Sequence, residues 1–367
     1  MGVKYKLFIV CLFHCVNVFS QIDSTKQEVE EDYSIYENVN SNTEIKIFCS
    51  PKVFDLSPNR FVSVGYDYIH QSKLSFSPLG NYKSEDKVTN ASSFNLFTHG
   101  LRLNANIPVI SKTNILWQIG GGYIKSNYDG NTSTDTSNKN EIKLNETLIN
   151  YGLTSLNINS TIFIPLNDKK FLLFQIMGEQ NGNYNFNYIQ PNISNTRLST
   201  SALYGKRPHD RFQWAIGVSR TYRGGELNYI PVVLYNYTSV NRKWGTEILF
   251  PARAAYRRKF NSRSILLAGY ELEGTSYRLY QTGINANNME LRRSELRVKL
   301  DYQRQLKGFV WVAFQMGIRH NVSYNVDQLE TNNKDFFRGF TGTQKYLMLN
   351  EFGLAPYANI SINLVSP

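Results

Sequence analysis

The sequence predicts an all-β fold: a transmembrane antiparallel up-and-down β-barrel of about fourteen strands. From about residue 60 onward, apolar and polar side chains alternate with a period of two, in stretches of roughly ten residues. The connections between these stretches alternate between short and long, as they do at the two ends of an outer-membrane barrel. The chain also contains 24 Tyr and 22 Phe, and aromatic residues form girdles at both membrane interfaces of such barrels.

The first twenty residues have the features of an export signal. Lys4 and Lys6 form a basic region, and an apolar stretch at 7–13 precedes a cleavage point near 18–21. This stretch is shorter than the roughly 20 residues with which a helix spans a bilayer, so a retained anchor is the less favoured alternative. We therefore expect residues 1–20 to be a signal peptide, and the mature chain to keep Cys49 as its single cysteine.

The segment that follows, residues 21–45, is acidic. It holds seven Asp and Glu residues against Lys26, in a chain whose formal net charge is +11. We expect a periplasmic N-terminal tail here, with a plug of the barrel as the alternative. Residues 46–367 then form the barrel, and their basic character suits an anionic partner such as lipopolysaccharide outside or an anionic solute in the lumen. Export and strand alternation argue against nucleic acid as a partner.

The alternation assigns one face of each strand to lipid and the other to the lumen. It is clearest at 293–303, where six polar or charged residues at odd positions oppose a largely apolar row at even positions. Segments at 101–107, 266–273, 310–321 and 351–363 show the same pattern. The side chains that we expect to line the lumen are Arg102, Glu271, Glu273, Arg293, Glu295, Arg297, Lys299, Asp301, Arg319 and Glu351.

The connections decide the strand count and the sidedness. Short turns are expected near 109–113, 163–169, 207–211, 239–242, 259–263 and 305–308, and longer or different links near 73–92, 128–144, 187–195, 223–225, 251–253, 279–290 and 327–345. Because short turns of such barrels are periplasmic, both chain ends should lie in the periplasm. The count is fourteen if 223–225 and 251–253 are tight outer turns, and twelve if 243–258 is one long strand. No helical periodicity of useful length is evident.

The segment from Tyr237 to Tyr277 is the most distinctive. It reads Asn-Arg-Lys-Trp-Gly-Thr-Glu-Ile-Leu-Phe-Pro from residue 241 and Tyr-Arg-Arg-Lys-Phe-Asn-Ser-Arg-Ser from residue 256. With its Trp-containing strand, Pro turn, basic return strand and short Asn-Ser turn, it resembles an uncharacterised outer-membrane β-barrel family of the Bacteroidota, a domain of unknown function. The resemblance extends over most of residues 45–365. It implies a barrel in the bacterial outer membrane, and it carries over no functional residues.

The C-terminus departs from barrels in general. Outer-membrane barrels usually finish with an aromatic residue that the barrel-assembly machinery reads, whereas this chain finishes with Leu364-Val365-Ser366-Pro367. We therefore expect an atypical assembly signal, or recognition of Leu364 in place of the aromatic residue.

Catalytic and metal-binding motifs are weak. His70-Gln71-Ser72 has the His-x-Ser spacing of a lipid A deacylase, but a nucleophile also needs an orienting acid and such deacylases are smaller barrels. The histidines and Cys49 show no zinc-ligand spacing. The sequence therefore predicts no enzyme, no catalytic residue, no metal and no cofactor.

Three functional hypotheses remain. The first is a solute or ion pore with a charged lumen, and the second is a non-conducting binding or structural barrel of the envelope. The third and least favoured is an outer-membrane lipid hydrolase. Charges on facing strands can set selectivity in an open lumen, or satisfy one another in a plugged one. The sequence does not separate the first two hypotheses, and it does not identify the solute.

Overall fold

The computed structural model describes residues 53–83, 86–88, 92–130, 139–186, 189–223, 226–280, 282, 289–328 and 345–365. These residues form a closed antiparallel β-barrel of fourteen strand positions, which confirms the predicted fold class. The strands are β1 (Arg60–Phe76), β2 (Tyr82–Lys83), β3 (Ser92–Lys112), β4 (Ile115–Gly130), β5 (Leu153–Pro165), β6 (Lys170–Gly182), β7 (Arg197–His209), β8 (Phe212–Arg223), β9 (Glu226–Thr238), β10 (Trp244–Phe250), β11 (Arg253–Asn261), β12 (Ser264–Leu279), β13 (Met289–Lys307), β14 (Val310–Gln328), β15 (Lys345–Tyr346), β16 (Asn350–Phe352) and β17 (Ala355–Val365). One α-helix, α1 (Lys139–Tyr151), and a 3₁₀ turn, Ile193–Asn195, complete the described elements.

Strands that follow one another in the chain are neighbours in the barrel wall. The wall closes at β1, which pairs with β3 on one side and with β17 on the other. The short β16 continues the position of β17 beyond Gly353 and Leu354, and it also pairs with β1. β2 and β15 form a separate two-stranded ribbon.

The two ends of the barrel differ in their connections. At one end, the short-turn end, each link is two to five residues long, as between β3 and β4 or between β13 and β14. Arg60 pairs with Val365 there, so both ends of the described barrel lie at the short-turn end, as predicted. The opposite end, the long-loop end, carries α1 and the 3₁₀ turn. A turn at residues 251–252 separates β10 from β11, so the alternative of a single strand over 243–258 is wrong.

The helix α1 corrects the expectation that the chain has no useful helical periodicity. Leu144 and Leu148, four residues apart, are completely buried on one face. The helix ends at Gly152, which has a φ of +61° and donates its N–H to Leu148 O at 2.9 Å. Polar residues surround this short apolar stripe, so burial in the barrel rather than the local pattern stabilises the helix. No helix among the described residues is long and apolar enough to cross a membrane.

The outer face of the barrel exposes apolar side chains at alternate positions. On neighbouring strands of one side these are Val298, Leu300, Phe314, Ile318, Ile360 and Ile362. Each row continues over several outward positions of its strand. A band of this kind is what a barrel wall presents to lipid.

Candidate functional site in the barrel lumen

A network of charged side chains crosses the middle of the barrel interior. Arg297 on β13 contacts Glu273 on β12 at 2.9 Å and also bonds Glu295. Arg102, on the other side of the lumen, contacts Asp67 at 3.1 Å and Glu273 at 3.6 Å. The network therefore ties β1, β3, β12 and β13 together across the lumen. We call it the ionic layer, and its residues are Asp67, Arg102, Glu273, Arg293, Glu295, Arg297 and Arg319.

The charges on one side of the ionic layer face aromatic rings. The Arg319 guanidinium lies 4.5 Å from the ring centroid of Phe352, and Arg293 lies 5.0 Å from that of Tyr277. Arg293 also donates a hydrogen bond of 2.8 Å to the Tyr277 hydroxyl. Glu295 and Arg319 are 0% and 1% exposed. Charges so deeply buried depend on their partners, because removal of one partner leaves the other without compensation.

Beyond the ionic layer, the long-loop half of the interior is packed with apolar side chains. Sixteen buried residues from eight strands, from α1 and from the segment between β15 and β16 form this set, which we call the apolar plug: Leu74, Phe76, Phe94, Leu96, Tyr128, Leu144, Leu148, Leu153, Tyr277, Leu279, Met289, Leu291, Tyr324, Val326, Met348 and Phe352. Lys125 donates to the last carbonyl of α1, that of Tyr151, at 2.5 Å and so fixes the helix to the wall. The wall is also drawn inward here, since Arg278 of β12 pairs with Gly182 of β6.

The short-turn half of the interior is hollow. It contains a cavity of about 930 Å³. One wall of this cavity is apolar and includes Leu116, Phe163, Leu173 and Leu234. The facing wall carries charged and amide side chains, among them Asn104, Glu271, Lys299, Asp301, Gln303 and Asn359. A space of this size and mixed character is typical of a small-molecule site.

Residues 53–59 run across the short-turn mouth of the cavity, and we call them the strap. The strap leads into β1, whereas its contacts lie on the opposite side of the barrel. Asp55 accepts a 2.5 Å contact from Lys259, and Ser57 donates from its N–H and its hydroxyl to Glu247 at 2.8 and 2.5 Å. Further hydrogen bonds join Phe54 to the backbone of Asp210 and to the side chain of Thr238.

Nine of the ten side chains expected in the lumen point inward: Arg102, Glu271, Glu273, Arg293, Glu295, Arg297, Lys299, Asp301 and Arg319. Glu351 is the exception, because its side chain is exposed on the outer face. The alternation slips at Gly353 and Leu354, between β16 and β17, so Phe352 and Ala355 both face inward. The expected lumen position of Glu351 is therefore wrong, and Phe352 takes the inward position beside it.

A similar slip separates the two residues of the His-x-Ser motif. The register of β1 against β3 shifts between Ile69 and Ser72, which marks a β-bulge. His70 is exposed on the outside, whereas Ser72 is buried on the inside. The motif therefore does not form a nucleophile and base pair. Among the described residues, no group of three or more His, Cys, Asp and Glu is placed to hold a metal ion.

Several features of the lumen escape sequence analysis. The strap contains turn residues, Ser57-Pro58-Asn59, but nothing in its sequence indicates that it crosses the barrel mouth. Asp55 within it adopts a left-handed backbone with a φ of 57°. The inward position of Asp67 could have been predicted, since Asp67 lies between the outward Tyr66 and Tyr68 on an alternating strand. The expected signal peptide, the acidic tail and Cys49 lie outside the described residues.

No family model matches the chain, and no curated protein matches it. Among solved structures, an outer-membrane channel from Pseudomonas putida F1 is similar with a TM-score of 0.37 and 9% identity, over 83% of this chain and 97% of that one. The toluene transporter TodX of Pseudomonas putida is similar with a TM-score of 0.30 and 8% identity, over 86% of this chain and 92% of that one. The outer-membrane protease OmpT of Escherichia coli is similar with a TM-score of 0.28 and 7% identity, over 86% of this chain and 100% of that one. At such scores the similarities carry no argument about function.

Proposed function

We propose that this protein is a β-barrel of the bacterial outer membrane whose lumen is closed at rest and whose short-turn half binds a small solute. The exposed apolar rows of the outer face support the membrane location. Since short turns of such barrels are periplasmic, the cavity and the strap face the periplasm. The apolar plug faces the outside of the cell.

The observation that carries the closed state is the packing of the ionic layer against the apolar plug. In an open pore the lumen charges would face water and solute. Here Glu273 is shared by Arg102 and Arg297, and Arg293 and Arg319 lie against aromatic rings of the plug. These charges hold the strands and the plug together, which favours the binding hypothesis over a permanently open pore. Passage of a solute would require the plug to move.

Single-channel conductance in a planar bilayer tests this function, after heat-modifiable migration on a gel has shown that the mature protein has refolded. We expect no steady conductance from the unaltered protein. Replacing both Leu144 and Leu148 by Asp should loosen α1 and produce channel openings, because carboxylates cannot remain in the apolar plug. Glu146→Gln, on the exposed face of the same helix, is the matched control and should stay silent.

A steady conductance of the unaltered protein would contradict the closed state. So would a double Asp variant that folds and inserts but never opens.

A further inference from the structure

The cavity has an apolar patch that extends over six neighbouring strands, from β4 to β9. Its members are Leu116, Phe163, Phe171, Leu173, Leu203, Ala215, Val232 and Leu234. The rings of Phe163 and Phe171 are stacked at 5.0 Å, and Gly205 leaves the space that the Phe171 ring occupies. This patch is continuous, and several of its side chains line the hollow. It would bind the apolar part of a ligand.

The charged side chains that line the cavity are almost all paired. Ten charged side chains line the cavity, and nine of them have an ion-pair partner: Asp55, Arg60, Asp67, Arg102, Glu247, Glu271, Arg297, Lys299 and Asp301. The tenth, Arg253 on β11, has an exposed side chain and makes no ion pair with any described residue. Its cross-strand neighbour Glu271 is bonded to Lys299. Arg253 is therefore the one charged residue of this lining that makes no ion pair with a described residue.

The register places this charge beside the apolar patch. Ala215, Leu234, Leu249, Arg253 and Glu271 follow one another as paired residues across β8 to β12. Arg253 therefore lies two strands from Leu234. A ligand on the patch would have its polar end within reach of a guanidinium, which binds carboxylates and phosphates through two parallel hydrogen bonds.

We infer that the cavity binds an amphiphile with a single anionic head group, the head at Arg253 and the apolar tail on the patch around Leu173 and Leu234. This inference rests on the proposed function, because it assigns the ligand of the same cavity. An anion without a tail would leave the patch in water, and a neutral apolar molecule would leave Arg253 unpaired. The cavity volume of about 930 Å³ lies within the range of roughly 300–1,000 Å³ of ligand sites.

Isothermal titration calorimetry of the refolded mature protein in zwitterionic nanodiscs tests the inference, with empty discs as the blank. Dodecanoate at pH 8 should bind saturably with one site per chain, dodecanol about ten-fold more weakly, and acetate not at all. Arg253→Gln should weaken dodecanoate binding about ten-fold and leave dodecanol unchanged. Arg258→Gln, on the outer face of the same strand, is the matched control and should change neither. Leu234→Asn should weaken both long-chain ligands.

Equal affinity of Arg253→Gln and the unaltered protein for dodecanoate would overturn the inference, as would heats no larger than those of empty discs. Conductance separates the two proposals. A barrel that neither conducts nor binds dodecanoate would support the closed lumen and contradict the ligand. A barrel that conducts and binds dodecanoate would support the ligand and contradict the closed lumen.

Discussion

The two halves of this barrel interior are built by the same strands but have opposite properties. In the long-loop half, inward positions carry Leu, Phe, Tyr and Met and pack with α1 into the apolar plug. In the short-turn half, inward positions carry amides and charges on one side and apolar residues on the other, and they surround a cavity. The ionic layer lies at the boundary. Alternation along a strand therefore sets which residues face inward, whereas the type of the inward residues, together with those that α1 adds, decides whether the interior is filled.

The largest expected effect comes from the ionic layer, compared with an ion pair that lines the cavity. Glu295→Ala should lower the free energy of unfolding by about 4 kcal/mol, because it leaves buried arginines without their partner. Glu271→Ala removes the partner of Lys299, but the Glu271 side chain is 39% exposed and the loss should be no more than about 1 kcal/mol. Urea unfolding of both variants in the same lipid measures the difference. Equal losses would remove the distinction between the two regions.

A second comparison sets the apolar plug against the apolar wall of the cavity. Leu148→Ala should cost about 3 kcal/mol, since the side chain is completely buried and its removal leaves a void. Leu234→Ala should cost less than half as much, because Leu234 is only partly buried and already lines a hollow. The same unfolding measurement applies. A larger loss for Leu234→Ala would mean that the cavity wall, not the plug, is the better packed region.

The outer face provides a third test, of which side of each strand is interior. Val298 is 55% exposed between the inward Arg297 and Lys299. Val298→Arg should destabilise the inserted barrel by roughly 2–4 kcal/mol if Val298 lies near the bilayer midplane. Unfolding from lipid vesicles checks this value. Arg304, on the outer face of the same strand, shows a position at which the natural protein tolerates a cation. Unchanged stability would place Val298 away from lipid.

The smallest expected effect concerns the strap. Asp55→Asn weakens the contacts with Lys259 and Arg242, both partly exposed, and should cost about 0.5 kcal/mol or less. Limited proteolysis is the more sensitive measurement, because a released strap exposes backbone for cleavage. Faster cleavage within residues 53–59 with an intact barrel is the expected pattern. Cleavage at the same rate as in the unaltered protein would show that the contacts of Asp55 do not hold the strap in place.

The sequence predicts the barrel and its strand count because alternation and turn composition are local properties. On β13 the alternation runs without interruption from Arg293 to Gln303, and the inward set there follows from it directly. Where a strand slips by one residue, as at Gly353 and Leu354, the local pattern assigns the wrong face and Glu351 is misplaced. The sequence around Glu351 does not indicate the slip, because the slip depends on how this segment pairs with the neighbouring strands.

The closure of the lumen cannot be predicted from the local sequence pattern, for a different reason. Arg102 and Glu273 are far apart in the chain and meet only because the barrel closes. Leu144 and Leu148 form a helical stripe too short to stand out, and α1 is stabilised by residues from strands throughout the chain. The local pattern therefore identifies most of the charged residues of the site but not their pairing, and the pairing decides between an open and a closed lumen.

Cysteine accessibility tests the contrast between the two halves most directly. In a Cys49→Ser background, Asn236→Cys places a thiol in the cavity and Leu291→Cys places one in the apolar plug. Both proteins, refolded into vesicles, are treated with a charged, membrane-impermeant thiol reagent. We expect rapid labelling at position 236 and labelling at position 291 only after unfolding. Equal labelling of the two folded proteins would show that water fills both halves, and would contradict the closed lumen.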